Sequence, residues 1–156
     1  MFSNSQLQRL LHQHETIHEL VAGLTETQLR TPVNPGKWSA YENIAHLAAY
    51  QPAFLQRMQR LQQEHEPLFE RYVADNDPAF AEAVQLHTGQ LLEKLRTGRK
   101  QIISLLLSLD DAGTWRSAIH ARYGKLSVIQ WVEFFLLHEA HHLFTIFMLT
   151  SDLRKT

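Results

Sequence analysis

SVIQWVEFFLLHEAHHLFTIFMLT, residues 127–150, is the stretch on which the fold turns. Ser127 and Gln130 make a Ser-x-x-Gln capping box, which satisfies two backbone donors at a helix start. From Val128 onward the residues are apolar nearly all round. That pattern predicts a helix central to a bundle or shared with another subunit. The polar break is His138-Glu139-Ala140-His141-His142. Imidazoles in such surroundings require partners, because burying an unpaired polar group is costly. His138 and His142 are four apart and stand one turn above the other on one helix face. This is the spacing of two ligands to one metal ion. His46, on an earlier helix, supplies the third ligand in this reading.

Working outward, the spacing predicts three more helices. The first runs from about Ser5 to about Leu24, with Leu7, Leu10, Leu11, His14, His18 and Val21 on an inward stripe. The second opens at Ser39, where Ser39 and Glu42 form another capping box. It continues past Pro52, with a kink near Ala48, and ends before Pro67. The third starts from Asp77 as N-cap with Pro78 at the first helical position, and runs to about Leu109. Residues 110–126 form a long connection containing Trp115, His120 and Tyr123. No strand signal competes. The expected fold is therefore all-α: one domain over residues 1–156, an up-and-down-type four-helix bundle.

Composition narrows the function. Net charge is -1, from 15 basic and 16 acidic residues, so nothing favours nucleic acid or an anionic membrane. The absence of cysteine excludes disulfides, thiolate metal sites and a cysteine nucleophile. The N-terminus shows no signal-peptide pattern, and the apolar runs are broken by Glu133 and the histidines, which argues against a membrane span. A cytoplasmic protein is expected. The compositional outlier is histidine, with ten residues.

The histidines admit other readings. His138 to His142 also fits His-Glu-x-x-His, with Glu139 as the general base of a zinc protease. Two observations weigh against this: His14 to His18 fits the same pattern, and no His or Glu follows His142. His138 and His142 could instead be hydrogen-bonded core imidazoles. His141 is a rival ligand, since positions three apart also meet. His14 and His18 read as packed core residues, while His12, His65 and His87 read as surface. His120 could reach a cavity mouth. Glu42 and Tyr50 flank His46 by one turn each and are placed to support a ligand or move a proton.

The chain also resembles the DinB-like superfamily of small bacterial four-helix bundles, which includes DinB and YfiT-type proteins. Pro35-Gly36-Lys37-Trp38-Ser39 followed by Asn43-Ile44-Ala45-His46-Leu47 resembles its first signature. Trp115, then Tyr123-Gly124-Lys125-Leu126-Ser127, then His138 to His142 resembles its second. The resemblance implies a divalent metal, zinc or nickel, on His46, His138 and His142, and a bundle that often forms a homodimer. It further implies transfer of a low-molecular-weight thiol to an electrophile, or hydrolysis. The chain departs from many relatives in having Leu143, Phe144 and Thr145 rather than Gln shortly after the last histidine. The competing expectation is a non-catalytic bundle, with a structural metal or none, whose last helix is a dimer surface.

Overall fold

The computed structural model describes residues 1–155. Among these the helices are α1 (Asn4–His12), α2 (Thr16–Val21), α3 (Glu26–Arg30), α4 (Ala40–Gln63), α5 (Pro78–Ala83), α6 (Thr88–Leu107), α7 (Asp111–Trp115) and α8 (Val128–Leu153). The strands are β1 (Leu68–Phe69), β2 (Ser117–His120) and β3 (Gly124–Ser127). The α1–α2 arm, α4, α6 and α8 form the four-helix bundle, with α4 packed on both α6 and α8.

The caps of the two site helices lie where the sequence places them. Ser39 Oγ accepts from the Glu42 amide while Glu42 Oε2 accepts from the Ser39 amide, fixing the start of α4. Ser127 and Gln130 do the same for α8. The first helix, by contrast, is not continuous. A 3₁₀ turn over Gln13–Glu15 interrupts it, and Gly23 at φ +78° ends the arm before α3. Tighter winding changes the phase of the stripe. His14 stays buried, but Ile17 takes the next inward position and His18 is exposed, contrary to the inward placement expected of it. The third helix is likewise split, into α5 and α6, by the turn before Thr88.

The strands are an addition to the bundle that the sequence reading did not foresee. β2 and β3 form an antiparallel hairpin pairing Ser117 with Ser127 and His120 with Gly124, and β1 lies parallel to β2. Gly124, at φ +75°, supplies the left-handed residue that closes the hairpin. The His120 ring caps the turn, its Nδ1 accepting from the amides of Arg122 (2.9 Å) and Tyr123 (3.2 Å).

Two apolar clusters fill the interior. One gathers Ile17, Tyr41, Ile44, Leu91, Leu95 and Ile146, and the other Leu10, Phe54, Met58, Ile102, Trp131 and Phe135. A polar cluster also lies within the bundle. The Arg99 guanidinium on α6 donates to the Glu139 carboxylate on α8, to Gln51 Oε1 on α4 (3.2 Å) and to the Leu10 carbonyl on α1 (3.1 Å). Gln13 Nε2 donates to Glu139 Oε2 and to the Leu136 carbonyl, each at 2.9 Å. Arg99 and Glu139 are 0% and 1% exposed. Close approach of α4 and α6 beside this cluster requires Gly98, because a Cβ there would lie 2.6 Å from Gln51 Cβ.

A buried ion pair is costly to halve and less costly to remove whole. Arg99→Met, which strands the Glu139 carboxylate, is expected to destabilise the protein by about 3–5 kcal/mol in urea denaturation. The double variant Arg99→Met/Glu139→Leu should recover most of that loss. Equal destabilisation in the single and double variants would contradict the assignment of the cost to an unpaired buried charge.

Candidate metal centre

The site is built from two capped helices. His46 lies two turns inside α4, and His138 and His142 lie one turn apart on α8. The structure brings these three together. His46 Nε2 and His138 Nε2 are 3.0 Å apart, and one ring nitrogen from each histidine lies within 4.8 Å of the other two. The ring centroids are 5.0 Å apart for His46 and His138, 4.4 Å for His46 and His142, and 4.7 Å for His138 and His142. Zinc–nitrogen bonds of about 2.0–2.1 Å place tetrahedral ligands about 3.3 Å apart, close to the 3.0 Å between His46 Nε2 and His138 Nε2.

The protonation state suits ligation. Burial, reinforced by the neighbouring imidazoles, pushes the pKa of His46 and of His138 down to about 4, and that of His142 to about 3. All three rings are neutral at pH 7 and offer lone pairs. Asn43 sets the orientation of His142: its Oδ1 accepts from Nδ1 at 2.8 Å, leaving Nε2 for a metal. Asn43 is itself fixed, its Nδ2 donating to the Ser39 carbonyl at 2.8 Å. Partners of this kind fix tautomer and ring angle, and their loss typically weakens metal binding about 10–100-fold. The Nδ1 atoms of His46 and His138 are buried without a hydrogen-bond partner among the described residues, so both rings direct their polar capacity to the shared point through Nε2.

Other candidates fall elsewhere. His141 is exposed and outside the cluster. Glu139 faces Arg99 in the core and does not serve the histidines as a base. Glu42 is occupied by its cap, so its expected supporting role at His46 is not seen. Tyr50 does reach the site, its ring centroid 4.9 Å from that of His138 and 6.2 Å from that of His46. His120 lines the same cavity, as the sequence reading allowed.

The sequence reading missed two contributions. Asn43 was visible only as part of a motif, three positions before His46. Trp38 likewise stood out only within the family signature, yet its ring lies 5.2 Å from His46 and 6.4 Å from His142, walling the site. A cavity of about 340 Å³ opens beside the three histidines, with Trp38, Tyr50, Tyr72 and Phe134 among its walls.

Comparison with known proteins agrees with this architecture. The sequence profile of the DinB superfamily matches residues 9–146. The fold is similar to that of YfiT from Bacillus subtilis, described as a probable metal-dependent hydrolase with an unusual four-helix bundle topology. The TM-score is 0.80 at 20% identity, over 98% of this chain and 90% of that one. It is also similar to TT2238, described as a four-helix bundle protein, with a TM-score of 0.67 at 19% identity over 92% of this chain and 96% of that one. No curated protein sequence matches.

The lowered histidine pKa values carry a pH dependence with a definite sign. The folded values lie below the unfolded value of about 6.5, so the unfolded chain binds more protons in the interval between them. Stability is full above pH 6.5 and is lost as pH falls toward 4 and then 3. The urea midpoint of the metal-free protein should fall across this window, and less steeply in His142→Asn. A midpoint that holds level on acidification would show that the rings are not buried in neutral form.

Proposed function

The chain belongs to the DinB superfamily, and on that premise we propose that it is a divalent-metal-dependent enzyme that activates a thiol or a water molecule at His46, His138 and His142. The observation that carries the reading is three neutral imidazoles converging on one point beside an accessible cavity. No fourth His, Cys, Asp or Glu joins that cluster among the described residues. Three protein ligands with a position left open typify catalytic zinc sites, whereas four typify structural ones. Imidazole donors suit zinc and nickel alike. A divalent ion held there supplies Lewis acidity, which eases proton loss from a nucleophile in the open position.

The chain's own residues hold and shield the site. Trp38 and Phe134 supply apolar walls, and Asn43 holds His142 in its ligand orientation. Neither tyrosine of the wall is a ready base. Burial pushes the Tyr50 phenol up, and burial with the Asp77 hydrogen bond pushes Tyr72 up, so both stay protonated at neutral pH. Thiol activation fits this better than water activation, because a free thiol ionises near pKa 8.5 and bulk water near 15.7. The preferred reading is therefore transfer of a low-molecular-weight thiol to an electrophile. Hydrolysis is the second reading, favoured by the description of YfiT.

Leu137, Phe144 and Met148, at 58%, 64% and 47% exposure, make an apolar stripe on α8 that a second copy would cover in a homodimer. Sedimentation at high micromolar concentration should show the dimer; monomer alone would refute it. A cytoplasmic protein is proposed on the sequence reading, and no described helix is long and apolar enough to cross a membrane.

One pair of variants tests the site. His142→Ala should lose metal and turnover together, measured by metal content and a screen of thiols with electrophiles. Glu139→Gln should keep its metal with at most a modest rate change, although the protein will be less stable. Loss of turnover by about 10²–10⁴-fold in Glu139→Gln with metal retained would instead revive a general-base role for Glu139. A His142→Ala protein that loses thermal stability, with no activity in the wild type to lose, would favour the non-catalytic bundle.

A further inference from the structure

The cavity has a second polar region that metal binding leaves unused. Arg57 projects from α4 into it, half-buried. Its Nη1 donates to the Tyr50 hydroxyl at 3.2 Å and its Nη2 to the Glu70 carbonyl at 2.6 Å. The guanidinium carbon also lies 5.9 Å from the ring centroids of Tyr50 and Trp131 and 5.7 Å from that of Phe69. A guanidinium has five N–H donors and always carries its charge. Among the described residues no carboxylate forms an ion pair with Arg57, in contrast to Arg9, Arg30, Arg60, Arg96 and Arg99.

His120 lies near this charge, and its pKa is lowered first by burial and then by Arg57. It is 6% exposed and held among Tyr123, Trp131 and Phe134, with ring centroids 4.7, 5.5 and 5.5 Å away. Its Nδ1 accepts two backbone N–H groups, so the proton of the neutral ring is on Nε2. Nε2–H is then a donor with no acceptor among the described residues, on a residue that lines the cavity. The other charges nearby are Arg71 and Asp75 at the rim, Arg122, and Glu70, whose field opposes that of Arg57 at His120, all exposed, together with the half-buried Asp77, which accepts from the Tyr72 hydroxyl outside the cavity lining. Arg57 is thus the half-buried charge of the cavity, and it is positive.

We infer that Arg57 and His120 form an anion subsite, which selects nucleophilic substrates carrying a carboxylate or phosphate group and aims their other end at the three histidines. The Tyr50 ring spans the two regions, its hydroxyl on Arg57 and its ring 4.9 Å from that of His138. A short bifunctional molecule could therefore reach both. Arg57 and His120 are specificity-determining rather than metal-holding. The substrate assignment rests on the metal-dependent reading above, whereas the anion subsite itself does not require the metal.

The probes are 3-mercaptopropionate, 2-mercaptoethyl phosphate and the neutral 3-mercapto-1-propanol, titrated by calorimetry into the zinc-loaded protein, with zinc content measured on the same samples. A charge-assisted hydrogen bond is worth enough that at least one anionic probe should bind about tenfold tighter than the alcohol. The tighter of the two anions identifies carboxylate or phosphate as the group selected. Arg57→Gln should retain zinc and reduce the preference to about parity, and Arg57→Lys should keep part of it. A zinc-loaded wild type that does not discriminate, or a preference undiminished in Arg57→Gln, overturns the anion subsite. A wild type that binds no zinc overturns the metal reading instead. Should Arg57→Gln not fold, the wild-type ratio is decided with nuclear magnetic resonance: the preferred anion should shift the His120 Nε2–H signal, and an unmoved signal overturns the proposal.

Discussion

The Arg99–Glu139 ion pair is the interaction on which the other parts depend. Arg99 reaches from α6 to α1, α4 and α8, and Glu139 returns a bond to the α1–α2 arm through Gln13. An apolar helix packed by greasy contacts alone has many rotational settings of similar energy. A buried carboxylate that must meet one guanidinium has very few. Glu139 is the immediate neighbour of His138, so the contact that turns Glu139 toward α6 also turns His138 and His142 toward α4. In this account the pair specifies rotation and register more than it adds stability, the role for which buried polar groups are best attested.

Rotation of α8 alone does not make a metal site; His46 must arrive at the right height. The Ser39–Glu42 cap fixes the first turn of α4, and the Ser39 carbonyl holds Asn43, which holds His142. A local backbone device at the helix start therefore reaches His142 on the opposite helix in two hydrogen bonds. The same helix continues to Tyr50 and Arg57. Burial keeps the imidazoles neutral, while the unpaired guanidinium keeps its charge. One helix thus presents a soft, neutral donor at one level and a cationic one farther along, within a single cavity.

Much of this was legible in residue spacing. Two capping boxes were visible as Ser39–Glu42 and Ser127–Gln130, and both helices start there. The four-residue interval of His138 and His142 fixed their common face, and the family signatures pointed to His46. What the sequence hid were consequences of tertiary contact. His18 looked equivalent to His14, but a 3₁₀ turn changed the phase and Ile17 took its place. Glu139 fitted the base position of a protease motif that the rest of the sequence weighed against, and only the distant Arg99 shows why a carboxylate stands there. The hairpin over Ser117–Ser127 was masked because its strands are short and one side chain, His120, caps its turn. Trp38 showed no sign of walling a site, because two of the rings beside it, Phe80 and His142, come from α5 and α8.

Three neutral imidazoles that meet at one point would leave a bound metal one position for a substrate. X-ray absorption spectroscopy of the zinc-loaded, untagged protein addresses this directly. One zinc per chain is expected, with three imidazole nitrogens at about 2.0–2.1 Å and a fourth, exchangeable ligand that an added thiol replaces with sulfur at about 2.3 Å. A zinc site closed by a fourth protein side chain, or one with fewer than three imidazoles, would contradict this.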